Sequence, residues 1–124
     1  MTRQEHITAI LEGYKSHDIT LSKQTIEYLK GESDFDIRYH LGNMRLINSN
    51  QMLIMQREKY IINVFKFDNG EYQLGITENP FDENDGYYGR DTLEGLFEDS
   101  SDILKLDRHT QCEIGYKAAR LKCI

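Results

Sequence analysis

The chain has 124 residues and a formal net charge of −6, with 39% apolar residues, eight tyrosines, no tryptophan and one proline. That length suits one domain able to bury about two thirds of the surface its unfolded chain would expose, and the aromatic content argues against a disordered chain. The start carries charges throughout and no apolar run approaches the roughly 20 residues that span a bilayer, so a soluble, cytoplasmic protein without a membrane anchor is expected. Without an export signal, Cys112 and Cys123 read as reduced thiols packed as small apolar groups.

Charge is unevenly distributed. Residues 78–107 hold ten acids and two bases, a net −8, whereas the remaining segments are nearly neutral or slightly basic. This segment sets Phe81, Tyr87, Tyr88 and Phe97 among its carboxylates.

In chain order, Thr2 and Glu5 fit a capping box, and Ile7, Ile10, Leu11 and Tyr14 share one helical face, predicting a helix over 3–16. Ser22 is the expected cap of a second helix running to Lys30, with Leu21 and Ile26 as a hydrophobic staple and Gly31 as a left-handed C-terminal cap. From Asp34 the period changes to two: Phe35, Ile37 and Tyr39 alternate with Asp36, Arg38 and His40. This predicts a half-buried strand that turns at Gly42-Asn43 and returns over 44–48. Segments 51–56 and 60–67 are apolar on both faces, as central strands covered on both sides would be. Asp68-Asn69-Gly70 predicts a type I′ turn into a strand over 71–77.

Residues 78–90 read as a loop, long enough for a compact domain that a functional role is the first expectation. Asp91 and Glu94 fit a capping box for an amphipathic helix carrying Leu93, Leu96 and Phe97, with a second turn restarting at Ser100-Ser101. Cys112, Ile114, Tyr116 and Ala118 alternate and Leu121 and Cys123 continue in the other phase, which predicts a bulged terminal strand, with a helix over 116–121 as the competing reading. The expected fold is α+β in one domain: a helical cap over 2–31, an antiparallel meander over 34–77, the acidic loop and helix over 78–107, and a strand over 110–124 returning to a sheet of five to six strands.

Catalytic and cofactor patterns fail in turn. Asp82, Glu83, Asn84, Asp85 and Gly86 suggest a calcium loop, but with Gly86 at the turn the first ligand position falls on Phe81 and no acid occupies the twelfth. His6 and His17 on one helix lie ~16 Å apart at ~1.5 Å rise per residue, too far to share a metal. His109 and Cys112 as a base and thiol lack an orienting third group. His40 falls on the polar side of its predicted strand. Gly86-Tyr87-Tyr88-Gly89 has neither the spacing nor the lysine of a phosphate loop. The two N-terminal helices carry no net positive charge, which argues against direct nucleic-acid binding. No metal, no cofactor and no catalytic residue is expected.

The favoured expectation is therefore a non-enzymatic inhibitor that binds a protein partner with a basic groove, such as a nuclease or other nucleic-acid effector. Asp82, Glu83, Asp85, Asp91, Glu94, Glu98, Asp99 and Asp102 would imitate the charge of a nucleic-acid backbone, and Phe81, Tyr87 and Tyr88 would anchor the contact. Small acidic inhibitors that phages and other mobile elements carry against host nucleases, anti-CRISPR proteins among them, work as DNA mimics of this kind; the comparison is one of class, without a matching motif. Two other readings stand beside it. One is an immunity or regulatory protein that binds through its sheet or first helix, and the other a small enzyme using His109, Cys112 or Asp85 in a cleft.

Overall fold

A computed structural model describes residues 1–104 and 106–124, with side chains described for all of these except 101–104. Its class is α+β. Three N-terminal helices, α1 (Arg3–Ser16), α2 (Lys23–Lys30) and α3 (Asp34–Asn48), precede strands β1 (Met52–Arg57), β2 (Tyr60–Lys66), β3 (Tyr72–Thr77) and β4 (Tyr87–Asp91), followed by α4 (Leu93–Leu104) and α5 (Arg108–Ala118). The strands form one antiparallel meander in the order β1-β2-β3-β4.

The first two helices follow their expected signals. Thr2 and Glu5 make the reciprocal capping box of α1, and the Ser22 hydroxyl accepts the Thr25 N–H at the start of α2. Gly31 closes α2 in a right-handed conformation at φ −88°, not the left-handed one expected, with its N–H shared between the carbonyls of Glu27 and Tyr28. Arg3 then ties these helices to the next, its guanidinium donating to the Lys30 and Glu32 carbonyls at 2.8 and 2.6 Å and pairing with Asp34 at 2.6 Å.

The predicted hairpin over 34–48 is instead the helix α3. Ser33 caps it by accepting the Asp36 N–H, and Ile37, Leu41, Met44 and Ile47 bury one stripe at helical spacing. Phe35 and Tyr39, the residues that suggested a strand face, are 72% and 54% exposed. Gly42 continues the helix, so no turn forms there. The sheet accordingly has four strands, not five or six.

At the tight turn between β2 and β3 only Gly70 has positive φ, and its N–H reaches the Phe67 carbonyl. That is a three-residue loop closed by a left-handed glycine, not a type I′ turn. Tyr87 and Tyr88, expected in a loop, lie in β4, opposite Ile76 and Gly75 of β3. Thr92, not Asp91, caps α4 by accepting the Gly95 N–H, and α4 continues past Ser100 without restarting. The terminal strand is replaced by α5, capped by Asp107, whose carboxylate accepts the Thr110 N–H at 2.7 Å. Thr110, Ile114 and Ala118 supply its buried face, Leu121 is buried just beyond it, and Cys112 is exposed.

Alternation along β1–β3 sends side chains into two separate cores. Met52, Ile54 and Ile61 pack under α1–α3, and Met55, Ile62, Val64, Leu74 and Ile76 pack under α4 and α5 with Leu96, Ile114, Ala118 and Leu121. Coverage of the sheet on both faces accounts for the two-sided apolar strands. The chain end returns to the sheet, where the Lys122 and Ile124 N–H groups reach the carbonyls of Asn50 and Lys66.

Candidate functional site

The connection from β3 to β4, residues 78–86, is held by its own polar groups. Asp85 accepts the N–H groups of Glu78 and Asn79 at 2.9 and 2.7 Å, Asn79 accepts that of Phe81, and Asp82 accepts that of Asn84. Gly86 is required on two counts. Its φ is +87°, and a Cβ there would stand 2.0 Å from the Ile76 carbonyl oxygen. The loop thereby turns Phe81 inward.

Phe81 is 2% exposed, so the residue expected to anchor a partner belongs to the core. Its ring meets Tyr14 and His40 edge-on, at centroid distances of 5.5 and 4.9 Å. Burying such a ring contributes about 2–3 kcal/mol, enough to fasten a loop whose other side chains are polar. His40, given no role from sequence, is buried and bonds the Glu32 carboxylate through Nε2 at 2.8 Å. Burial raises the Glu32 carboxyl above its ordinary value, against the lowering effect of the His40 bond.

With Phe81 as the pin, the loop brings Asp82 and Glu83 beside Glu32 and Asp36. These four acids line one crevice with Tyr28, His40, Phe81 and Asn84, and no Lys or Arg is among its lining residues. The Tyr28 phenol registers the charge: its pKa is raised, first by desolvation and then by Asp82, Glu32, Asp36 and Glu83. Tyr88, whose phenol is raised by burial and then by Asp85, Asp82, Glu83 and Tyr39, continues the same acidic margin. Phe35, Tyr39, Tyr28 and Tyr88 are all exposed, so rings and carboxylates alternate over α2, α3, the loop and the start of β4.

The other acids of the segment lie elsewhere. Tyr87 alternates to the opposite sheet face from Tyr88, and its phenol, raised by burial first, then feels Asp99 and Asp91. Glu94, Glu98 and Asp99 are exposed on α4, which packs over that second face; Asp102 also lies in α4, its side chain outside the described residues. The expected single surface is thus two surfaces on opposite sides of the sheet.

A cavity of about 220 Å³ opens between α3 and the first sheet face, bounded by Pro80 and Glu83 of the loop. Its wall includes Tyr14, Tyr39, Asn43, Asn63, Gln73 and Tyr88. The acids Glu32 and Asp36 and these amides escape a sequence reading because they meet only through folding; the Ser33–Asp36 cap, followed by Ile37, Leu41 and Met44, was the signal that could have placed them.

For the candidate chemistries, Cys112 and Cys123 are free and exposed, correcting their expected packing, and His17 closes α1 with its ring beside Asn48 at 3.2 Å. Among the described residues no group of three or more His, Cys, Asp or Glu is placed to hold a metal ion, and no helix is long and apolar enough to cross a membrane. Comparison with family models, curated proteins and solved structures finds no match to this chain.

Proposed function

We propose that the chain is a non-enzymatic binding protein whose α2–α3 and 82–85 surface docks on a basic groove, inhibiting a nucleic-acid-handling partner by occupying the place of its substrate. The observation that carries this reading is the convergence of Glu32, Asp36, Asp82 and Glu83 in a crevice that no Lys or Arg lines among the described residues. Unit charges in water interact weakly at long range, so several carboxylates fixed within one patch are what gives a basic groove a usable field. Exposed Phe35, Tyr39, Tyr28 and Tyr88 supply the apolar anchors that an acidic surface alone lacks. Tyr39, Tyr28 and Phe35 replace Phe81 in that role, and the acids of α4 are a separate surface in this reading.

The test is capture of the partner from a nuclease-treated lysate of the cells that make the protein, washed in rising salt. The triple variant Asp36→Asn, Asp82→Asn, Glu83→Gln is run beside the native chain. A basic nucleic-acid enzyme retained by the native protein and released by the variant supports the reading; equal retention by both removes it.

A further inference from the structure

The cavity beneath α3 has a composition that the acidic crevice does not. A row of residues in register crosses all four strands, Ile54, Asn63, Gly75 and Tyr88, and all four face α1–α3. Gly75 is what makes this row a floor. A Cβ there would lie 2.7 Å from Asn63 Oδ1, 2.8 Å from Asn63 Nδ2 and 2.9 Å from the Tyr88 ring, so the amide and the ring both rest on the bare backbone. Above them stand Tyr39 and Asn43 of α3, with Gln73 at one side and Glu83 at the rim.

The side-chain amides of Asn43, Asn63 and Gln73 are half-buried, yet none has a hydrogen-bond partner among the described residues. None of these amides is sealed off as the Thr77 hydroxyl is, so three that share one cavity present open acceptors and donors to a ligand. The lining includes no Lys or Arg, and its one carboxylate is Glu83. Its one imidazole, His40, is already bonded to Glu32, so an anion would find no unengaged charge partner among these residues. The volume is below the ~300–1,000 Å³ of small-molecule sites and suits a single side chain better than a metabolite.

We propose that this cavity receives the guanidinium of an arginine side chain carried by the basic partner. The assignment rests on the binding function proposed above and adds its recognition element. A guanidinium is planar, carries five donors and no acceptor, and stacks on aromatic faces. Here Tyr39 and Tyr88 offer the faces, the carbonyl oxygens of Asn43, Asn63 and Gln73 offer neutral acceptors, and Glu83 at the rim offers the charge. A lysine ammonium would use fewer of these groups, because it is compact and cannot stack.

The probe is the peptide acetyl-Gly-Arg-Gly-amide, titrated into isotopically labelled protein beside its citrulline counterpart, which has the same shape without the charge. The arginine peptide is expected to move the side-chain amide resonances of Asn43, Asn63 and Gln73, and the citrulline peptide to bind about tenfold more weakly. Glu83→Gln should narrow that difference, and Gly75→Ala should abolish the response by pushing Asn63 and Tyr88 off the floor. If Gly75→Ala does not fold, Asn63→Leu tests the same floor with a side chain of similar size. Equal binding of the two peptides, or movement confined to resonances outside the cavity, overturns the proposal.

The two proposals separate in the capture experiment. Partner retention that is lost on neutralising the acids but unchanged in Asn63→Leu leaves the acidic surface standing and overturns the arginine cavity. Arginine-selective movement of the cavity amides without any basic protein captured upholds the cavity and removes the inhibitor reading.

Discussion

The two faces of the sheet are built from the same strands but finished differently. On the α4–α5 face, Leu96, Ile114, Ala118 and Leu121 close over Ile62, Val64, Leu74 and Ile76, six of these eight residues being wholly inaccessible at 0%. On the α1–α3 face the apolar core stops short of the β4 edge, and the remaining space is occupied by Asn63, Gln73, Tyr88, a buried histidine and a loop held by carboxylates. Apolar contacts alone would stabilise the α1–α3 face better, since each buried polar group must recover its lost hydration. A filled core on one side lets the other carry polar groups that folding does not require, which is where binding capacity is expected.

The strongest way to break this comparison is to cut one residue from each face. Phe81→Ala should cost about 3–5 kcal/mol and Leu96→Ala about 2–5 kcal/mol in urea unfolding, both as large-to-small core changes. The distinction lies in the folded fraction: Phe81→Ala should also speed amide exchange over residues 82–85 and weaken partner binding, whereas Leu96→Ala should leave both unchanged. Loss of binding in Leu96→Ala protein that remains folded would show that the two faces are not separable.

The His40–Glu32 pair gives a smaller effect. His40→Ala removes a bond to a charged group and a ring packed on Phe81, and should cost about 2 kcal/mol. Because burial raises the Glu32 carboxyl above the ordinary 4.5, the native state holds that proton more tightly than the unfolded chain. This contribution to stability is therefore greatest below the ordinary carboxylate value, falls as pH rises through the raised one, and is constant beyond it. Glu32→Gln should flatten that fall in denaturant midpoints measured across the acid range; an unchanged slope would assign it to other groups.

The smallest effect is expected at Thr77. Its side chain is wholly buried on the α1–α3 face of β3, and its hydroxyl has no hydrogen-bond partner among the described residues. Thr77→Val keeps the shape and removes the unsatisfied group, so stability should be unchanged or rise by up to about 1 kcal/mol. A loss larger than that would reveal a partner for the hydroxyl.

What was legible in the sequence follows from how local each signal is. Thr2 with Glu5, Ser22, and the apolar strands of the meander are set by near neighbours, and they form as read. Residues 34–48 misled because exposed Phe35 and Tyr39 happen to alternate with Asp36, Arg38 and His40, hiding the helical stripe of Ile37, Leu41, Met44 and Ile47. The terminal helix was hidden in the same way, since Cys112 and Tyr116 imitate a strand face although both are exposed, while Asp107 caps Thr110, Ile114 and Ala118 at helical spacing. In the candidate site, the charge of residues 82–85 was readable. Its neighbours were not, because Glu32 and Asp36 reach those acids only once Phe81 has docked between Tyr14 and His40.

The central claim, that binding belongs to the α1–α3 face, is tested most directly by photo-crosslinking from one exposed tyrosine on each side. A crosslinking amino acid replaces Tyr39, 54% exposed on α3, or Tyr116, 63% exposed on α5, and the partner is captured under light. The account predicts a covalent adduct with a basic protein from position 39 and none from position 116. An adduct from position 116 alone would contradict it and move the interface to the filled face.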